Sequence, residues 1–132
     1  MLRQGPLSAF LHGVIEYLAA VLLIAAPFLF GFDQNAAVAF SIVMGLLILV
    51  VTATSDLPTG LAKVIPVSVH VALDFILAGA LVASPFLFGF SDEGAPTTFF
   101  IVLGVAHLLV TIATRFLSGA RPRRMARDSG AV

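Results

Sequence analysis

Two histidines each stand four residues ahead of an acid: His12 before Glu16, and His70 before Asp74. Four residues is about one helical turn, so on a helix each pair shares a face and its members can touch. A histidine in contact with a carboxylate can relay protons. Two such pairs brought together offer two imidazoles and two carboxylates, a reasonable ligand set for zinc, iron or manganese. His107, Thr111 and Arg115 recur at the same four-residue spacing, a polar stripe along one helical face. Ionisable groups among apolar neighbours in a membrane are costly, and a functional role is their default reading. Other chemistry is missing. With no cysteine in the chain there is no disulfide, thiolate site, iron–sulfur cluster or cysteine nucleophile. There is no glycine-rich phosphate loop, no HExxH and no recognisable serine nucleophile. These absences lead us to expect a protein that is not an enzyme and carries no cofactor.

The elements that must position these groups follow from composition. Of 132 residues, 60% are hydrophobic and 11% charged, whereas a soluble domain carries about 25% charged residues to face water. So little charge cannot cover a water-facing surface, and the apolar excess must face lipid. Long uncharged runs of the roughly 20 residues that a helix needs to cross a bilayer give four spans near 10–32, 36–56, 67–90 and 97–117. Lipid offers no partner to exposed backbone groups, so the spans are helices. The first is too long for the apolar stretch of a cleaved leader. All seven basic residues fall on one side: Arg3, Lys63, Arg115 and the arginines at 121, 123, 124 and 127. The positive-inside rule then puts both termini and the 57–66 loop in the cytoplasm, as expected for a multi-pass protein of the cytoplasmic membrane.

The chain also repeats. Ala26-Pro27-Phe28-Leu29-Phe30-Gly31-Phe32 recurs as Ser84-Pro85-Phe86-Leu87-Phe88-Gly89-Phe90, and residues 12–33 aligned with 70–91 share ten identities, His12 with His70 among them. Glu16 meets Asp74. After one inserted residue, Gly45 meets Gly104, Thr52 meets Thr111 and Gly60 meets Gly119. The fold expected is all-α: four transmembrane helices as two tandem helical hairpins related by a pseudo-twofold axis along the membrane normal. The domain runs over 1–117, with repeats at about 10–60 and 67–119. A Pro-Phe repeat late in the first of two transmembrane helices resembles the SPW-repeat family of prokaryotic integral membrane proteins. The resemblance covers about residues 12–119, with Phe28 and Phe86 in place of the signature tryptophan and Ala26 in place of the first serine. It implies an architecture and no activity.

Proline removes a donor and crowds the carbonyl four residues back, at Leu23 and Leu81, so each helix should kink or loosen there, with Ser84 available to a freed carbonyl. Gly31 and Gly89 sit where helix-ending glycines belong. The motif is read as the outer end of spans one and three, a terminator and packing wedge with phenylalanines near the interface.

Counted from Phe32 and Phe90, Glu16 and Asp74 lie at one level, about 24 Å down. The leading reading places these acids in the first turns of their helices, favoured by the positive helix end and bridged to His or Arg. Arg115 is a candidate partner of either acid. A proton or ion relay and a metal site of His12, Glu16, His70 and Asp74 are the rivals. Counted from residue 97, His107 falls about 15 Å into span four, level with Ala78, Gly79 and Ala80. There it bonds across a close helix contact; haem ligation is a lesser alternative. The 118–132 tail, with four arginines, reads as disordered and held to the anionic inner leaflet.

The function expected is a structural or accessory membrane subunit packing with itself as a homo-oligomer or with a larger complex. A small transporter or channel using Glu16, Asp74, His107 and Arg115 is the alternative, and an embedded metal or haem protein the third. The partner that is certain is the lipid bilayer; nucleic acid is not expected.

Overall fold

The computed structural model describes residues 6–116. Arg3 and the 118–132 tail lie outside them, as does the expectation of a disordered tail. The chain runs β1 (Leu7–Ser8), α1 (Ala9–Leu29), α2 (Asn35–Ala53), α3 (Val67–Leu87), α4 (Gly94–Ala113) and β2 (Thr114–Arg115). Each helix has 19 to 21 residues, about 30 Å at 1.5 Å per residue. All four are long and apolar enough to cross a membrane. They form two hairpins, α1 along α2 and α3 along α4.

Specific residues set the helix ends. Ser8 caps α1, its hydroxyl accepting from the Leu11 amide at 3.2 Å. At the far end Gly31 and Gly89 take φ of +60° and +72°, a conformation that costs a residue with a Cβ. The Phe32 amide donates to the Pro27 carbonyl at 3.0 Å and that of Phe90 to the Pro85 carbonyl at 2.9 Å. This is the Schellman closure, so α1 and α3 stop at 29 and 87, short of the expected 32 and 90. α4 starts at Gly94 instead of 97. Pro96 lies in its first turn, where a backbone N–H would have no intrahelical acceptor in any case.

Both prolines lie inside their helices, which run two residues beyond them. The carbonyls they deprive of a donor are supplied by hydroxyls. Ser84 donates to Leu81 at 2.8 Å within α3, as expected of it, while Ser41 donates from α2 to Leu23 at 2.5 Å. The first repeat has Ala26 where the second has Ser84, and the second has Phe100 where the first has Ser41. One hydroxyl per repeat does the same work from opposite sides.

Within each hairpin a glycine lets the helices close. A Cβ on Gly45 would stand 2.8 Å from the Ala20 carbonyl, and one on Gly104 would stand 3.0 Å from that of Ala78. At the end carrying the two short loops, here the aromatic end, rings join the hairpins. Phe32 packs on Phe99 and Phe100, and Phe40 on Phe88 and Phe100, with centroids 5.1–5.9 Å apart. Glu93 accepts from the amides of Asp33 and Gln34 at 2.7 and 3.1 Å, bridging the two loops. Phe28 and Phe86 stay exposed, at 74% and 64%, as suits rings that meet lipid. At the opposite, histidine end, β1 pairs in parallel with β2, and Ser55 makes the corresponding bridge to Ile65.

Candidate functional site

Counting from the aromatic end explains what meets inside. Glu16 lies 13 residues before the end of α1, Asp74 13 before the end of α3, and His107 13 after the start of α4. All three therefore sit about 20 Å down, roughly two turns inside the histidine end. His107 is thus one turn deeper than the sequence reading placed it, beside Asp74 and not at the Ala78–Ala80 level. The difference comes from α4 starting three residues early, and α1 and α3 ending three residues short closes the rest of the gap to Glu16 and Asp74. It also brings the three histidines together, where the sequence count had separated them.

Two imidazoles and two carboxylates form the centre. His12 Nε2 lies 2.9 Å from Glu16 Oε1 and 3.0 Å from Asp74 Oδ2. His70 Nε2 lies 3.2 Å from Glu16 Oε2 and 3.3 Å from Asp74 Oδ2. Each histidine thus touches its own carboxylate and that of the other repeat. The four residues are at most 2% exposed. Thr52 donates to Glu16 Oε2 at 2.8 Å. Asp74 Oδ1 faces His107 Nε2 at 3.6 Å, and both atoms are buried with no hydrogen-bond partner among the described residues. Phe116 closes the histidine side, its ring 4.8 Å from that of His12 and 6.3 Å from that of His70.

Hydroxyls from the opposite repeat orient both rings. His12 Nδ1 is 2.9 Å from Thr114 Oγ1, and His70 Nδ1 is 2.7 Å from Ser55 Oγ. Each hydroxyl gives its own proton to the carbonyl four residues back, Thr114 to Val110 at 2.6 Å and Ser55 to Val51 at 2.5 Å. A hydroxyl has one proton, so towards the ring it can only accept, and Nδ1 must carry the hydrogen. Nε2 of a neutral ring then presents a lone pair to oxygens that also present lone pairs. Positive charge among these atoms, a proton on each Nε2 or a shared cation, makes such a centre tolerable in low dielectric.

The structure departs from the sequence expectation at three further points. Neither acid is in a first turn: each is the eighth residue of its helix, beyond the reach of the terminal dipole, and its partners are side chains. Arg115 follows α4, on β2, and is exposed. The stripe His107–Thr111–Arg115 therefore ends at Thr111, whose hydroxyl donates to the His107 carbonyl at 2.9 Å. Ser55 and Thr114 were missed. They are counterparts in the 59-residue offset that pairs Thr52 with Thr111 and Gly60 with Gly119, a serine against a threonine that a search for identities passes over.

A bundle of two apolar hairpins joined through a buried polar centre defines a multi-pass membrane protein with an internal repeat. Residues 10–114 match the SPW repeat domain, and the chain belongs to that family. No curated protein and no solved structure matches it.

Proposed function

We propose that this chain is a non-enzymatic structural or accessory subunit of the cytoplasmic membrane, acting by helix packing with further copies of itself or with a larger complex. The observation that carries the reading is how the polar side chains of the spans are placed. Glu16, Asp74 and the three histidines turn towards one another at the joint between the hairpins. What the helices offer outward is apolar surface. Between α1 and α4 lies a groove of about 590 Å³, lined by Leu22, Phe30, Phe99 and Leu103 together with the small residues Ala95 and Ala106. Small residues of this kind let another helix approach closely.

In this reading both termini and the 57–66 loop face the cytoplasm, supported by the one-sided placement of all seven basic residues. Purification in mild detergent tests the association: a stoichiometric partner or a homo-oligomer is expected. A monomer whose vesicles conduct protons would replace this reading with a transport one. The cysteine-free chain permits a direct topology test. Single cysteines at Gln34 and Leu61 should be labelled by an impermeant thiol reagent from opposite faces, the former from outside.

A further inference from the structure

We infer that the centre is a metal site, in which His12, His70, Glu16 and Asp74 hold one divalent first-row transition ion of the zinc class between the two hairpins. Four observations converge on it. One ligand atom from each residue can be chosen so that all lie within 4.8 Å of one another. The four nitrogen–oxygen distances around Nε2 of both histidines, Glu16 Oε1 and Asp74 Oδ2, 2.9–3.3 Å, are close to four of the six edges of a tetrahedron around zinc, roughly 3.3–3.4 Å for bonds near 2.0–2.1 Å. Hydrogen bonds alone fit this ring less well. A single N–H on each Nε2 would have to divide itself between two carboxylates at almost equal distance, whereas an ion bonds to all four atoms at once.

The second observation is orientation. Both rings are fixed through Nδ1 by a hydroxyl whose own proton is committed to a backbone carbonyl. That arrangement presents Nε2 as a lone pair, and it is how metal-binding imidazoles are characteristically held. Charge is the third: two carboxylates balance one divalent ion, leaving no net charge within the bilayer. Fourth, Asp74 Oδ1 and His107 Nε2 are buried beside the same centre with no hydrogen-bond partner among the described residues. His107 is therefore placed to orient the Asp74 ligand, or to join the shell if the ion takes a fifth donor. Two imidazoles with two carboxylates suit zinc, iron and manganese. At the histidine end a cavity of about 300 Å³ is bordered by Asp56, Arg115, Leu57 and Phe116, the last of which also meets the His12 ring edge-on.

The test uses the full chain, purified in mild detergent, stripped with a chelator and reloaded with Zn²⁺. One Zn²⁺ per chain is expected by elemental analysis, with Co²⁺ giving the intense visible bands of a tetrahedral site. The nearly isosteric pair Glu16→Gln with Asp74→Asn should hold none. Should that variant fail to fold, Ser55→Ala and Thr114→Val leave all four ligands in place and should weaken Zn²⁺ binding about 10–100-fold. Folded wild-type protein that takes up no Zn²⁺ would overturn the assignment. So would a full equivalent retained by the carboxylate variant, or unchanged affinity in both hydroxyl variants. The particle mass from the same preparation reports association separately, so this inference and the proposed subunit role can fail independently.

Discussion

Replacing Ser41 with alanine removes the donor held by the Leu23 carbonyl. The amide that would serve that carbonyl in an ordinary helix belongs to Pro27 and does not exist. Leu23 and Ser41 are both fully buried, so water cannot substitute. Leaving a buried acceptor unpaired costs about 1–3 kcal/mol, while side-chain hydrogen bonds in membrane proteins average about 0.6 and reach about 1.7 kcal/mol. The 2.5 Å contact and the missing backbone donor favour the upper part of the second range, so Ser41→Ala should destabilise by about 1–1.7 kcal/mol. The second repeat supplies a rescue. Ser84 meets the same need at Leu81 from within its own helix, so adding Ala26→Ser to Ser41→Ala should recover most of the loss. Ala26→Ser alone should gain little, because its acceptor is already engaged. The assay is reversible unfolding of the purified chain in mixed micelles as SDS is raised, read by circular dichroism. A Ser41→Ala variant as stable as wild type would refute the claim that the proline carbonyl needs a donor. A double variant no better than Ser41→Ala would refute the equivalence of the two repeats.

Four further outcomes are expected. Gly89→Ala should cost about 1 kcal/mol in the same unfolding assay, since Gly89 holds a left-handed φ; Gly79→Ala, in open space on α3, should be neutral or stabilising. Gly104→Val should push α4 off the Ala78 carbonyl and cost about 1–3 kcal/mol, with cysteine cross-linking between α3 and α4 reduced. Glu93→Ala should release the Asp33 and Gln34 amides near the surface, a loss below about 1 kcal/mol, seen as faster hydrogen exchange at those amides.

How much of this was legible in the sequence depended on which interactions decide a position. Hydropathy dictates the four helices, because the bilayer thickness fixes their length, and the repeated Pro-Phe motif marks their ends. His12 with Glu16 and His70 with Asp74 were visible because contacts within a helix have a fixed spacing. The crossing of the pairs, His12 onto Asp74 and His70 onto Glu16, was not, since it depends on how the hairpins dock. The position of His107 beside Asp74 was lost through three residues at the start of α4 and three at the end of α3: Pro96 reads as a boundary, yet the first turn of a helix accepts proline, and the Schellman closure stops α3 before Phe90. Ser55 and Thr114 were obscured differently. Neither is charged, and each fell within the last turn of an expected span although its helix ends just before it, so nothing local marks them as the groups that orient two histidines.

The exchange of hydroxyls between repeats has a consequence for biogenesis. During synthesis α1 and α2 emerge first, bringing His12, Glu16 and the Ser55 hydroxyl into the membrane. The carboxylate and the hydroxyl that His12 needs, Asp74 and Thr114, are translated 62 and 102 residues after it. Until α4 is inserted, a partly made chain holds an acid and an imidazole in lipid with half of their partners missing, a state that favours waiting near the aqueous edge over full insertion. The last residues to be placed thus decide when the first helix can settle at its final depth.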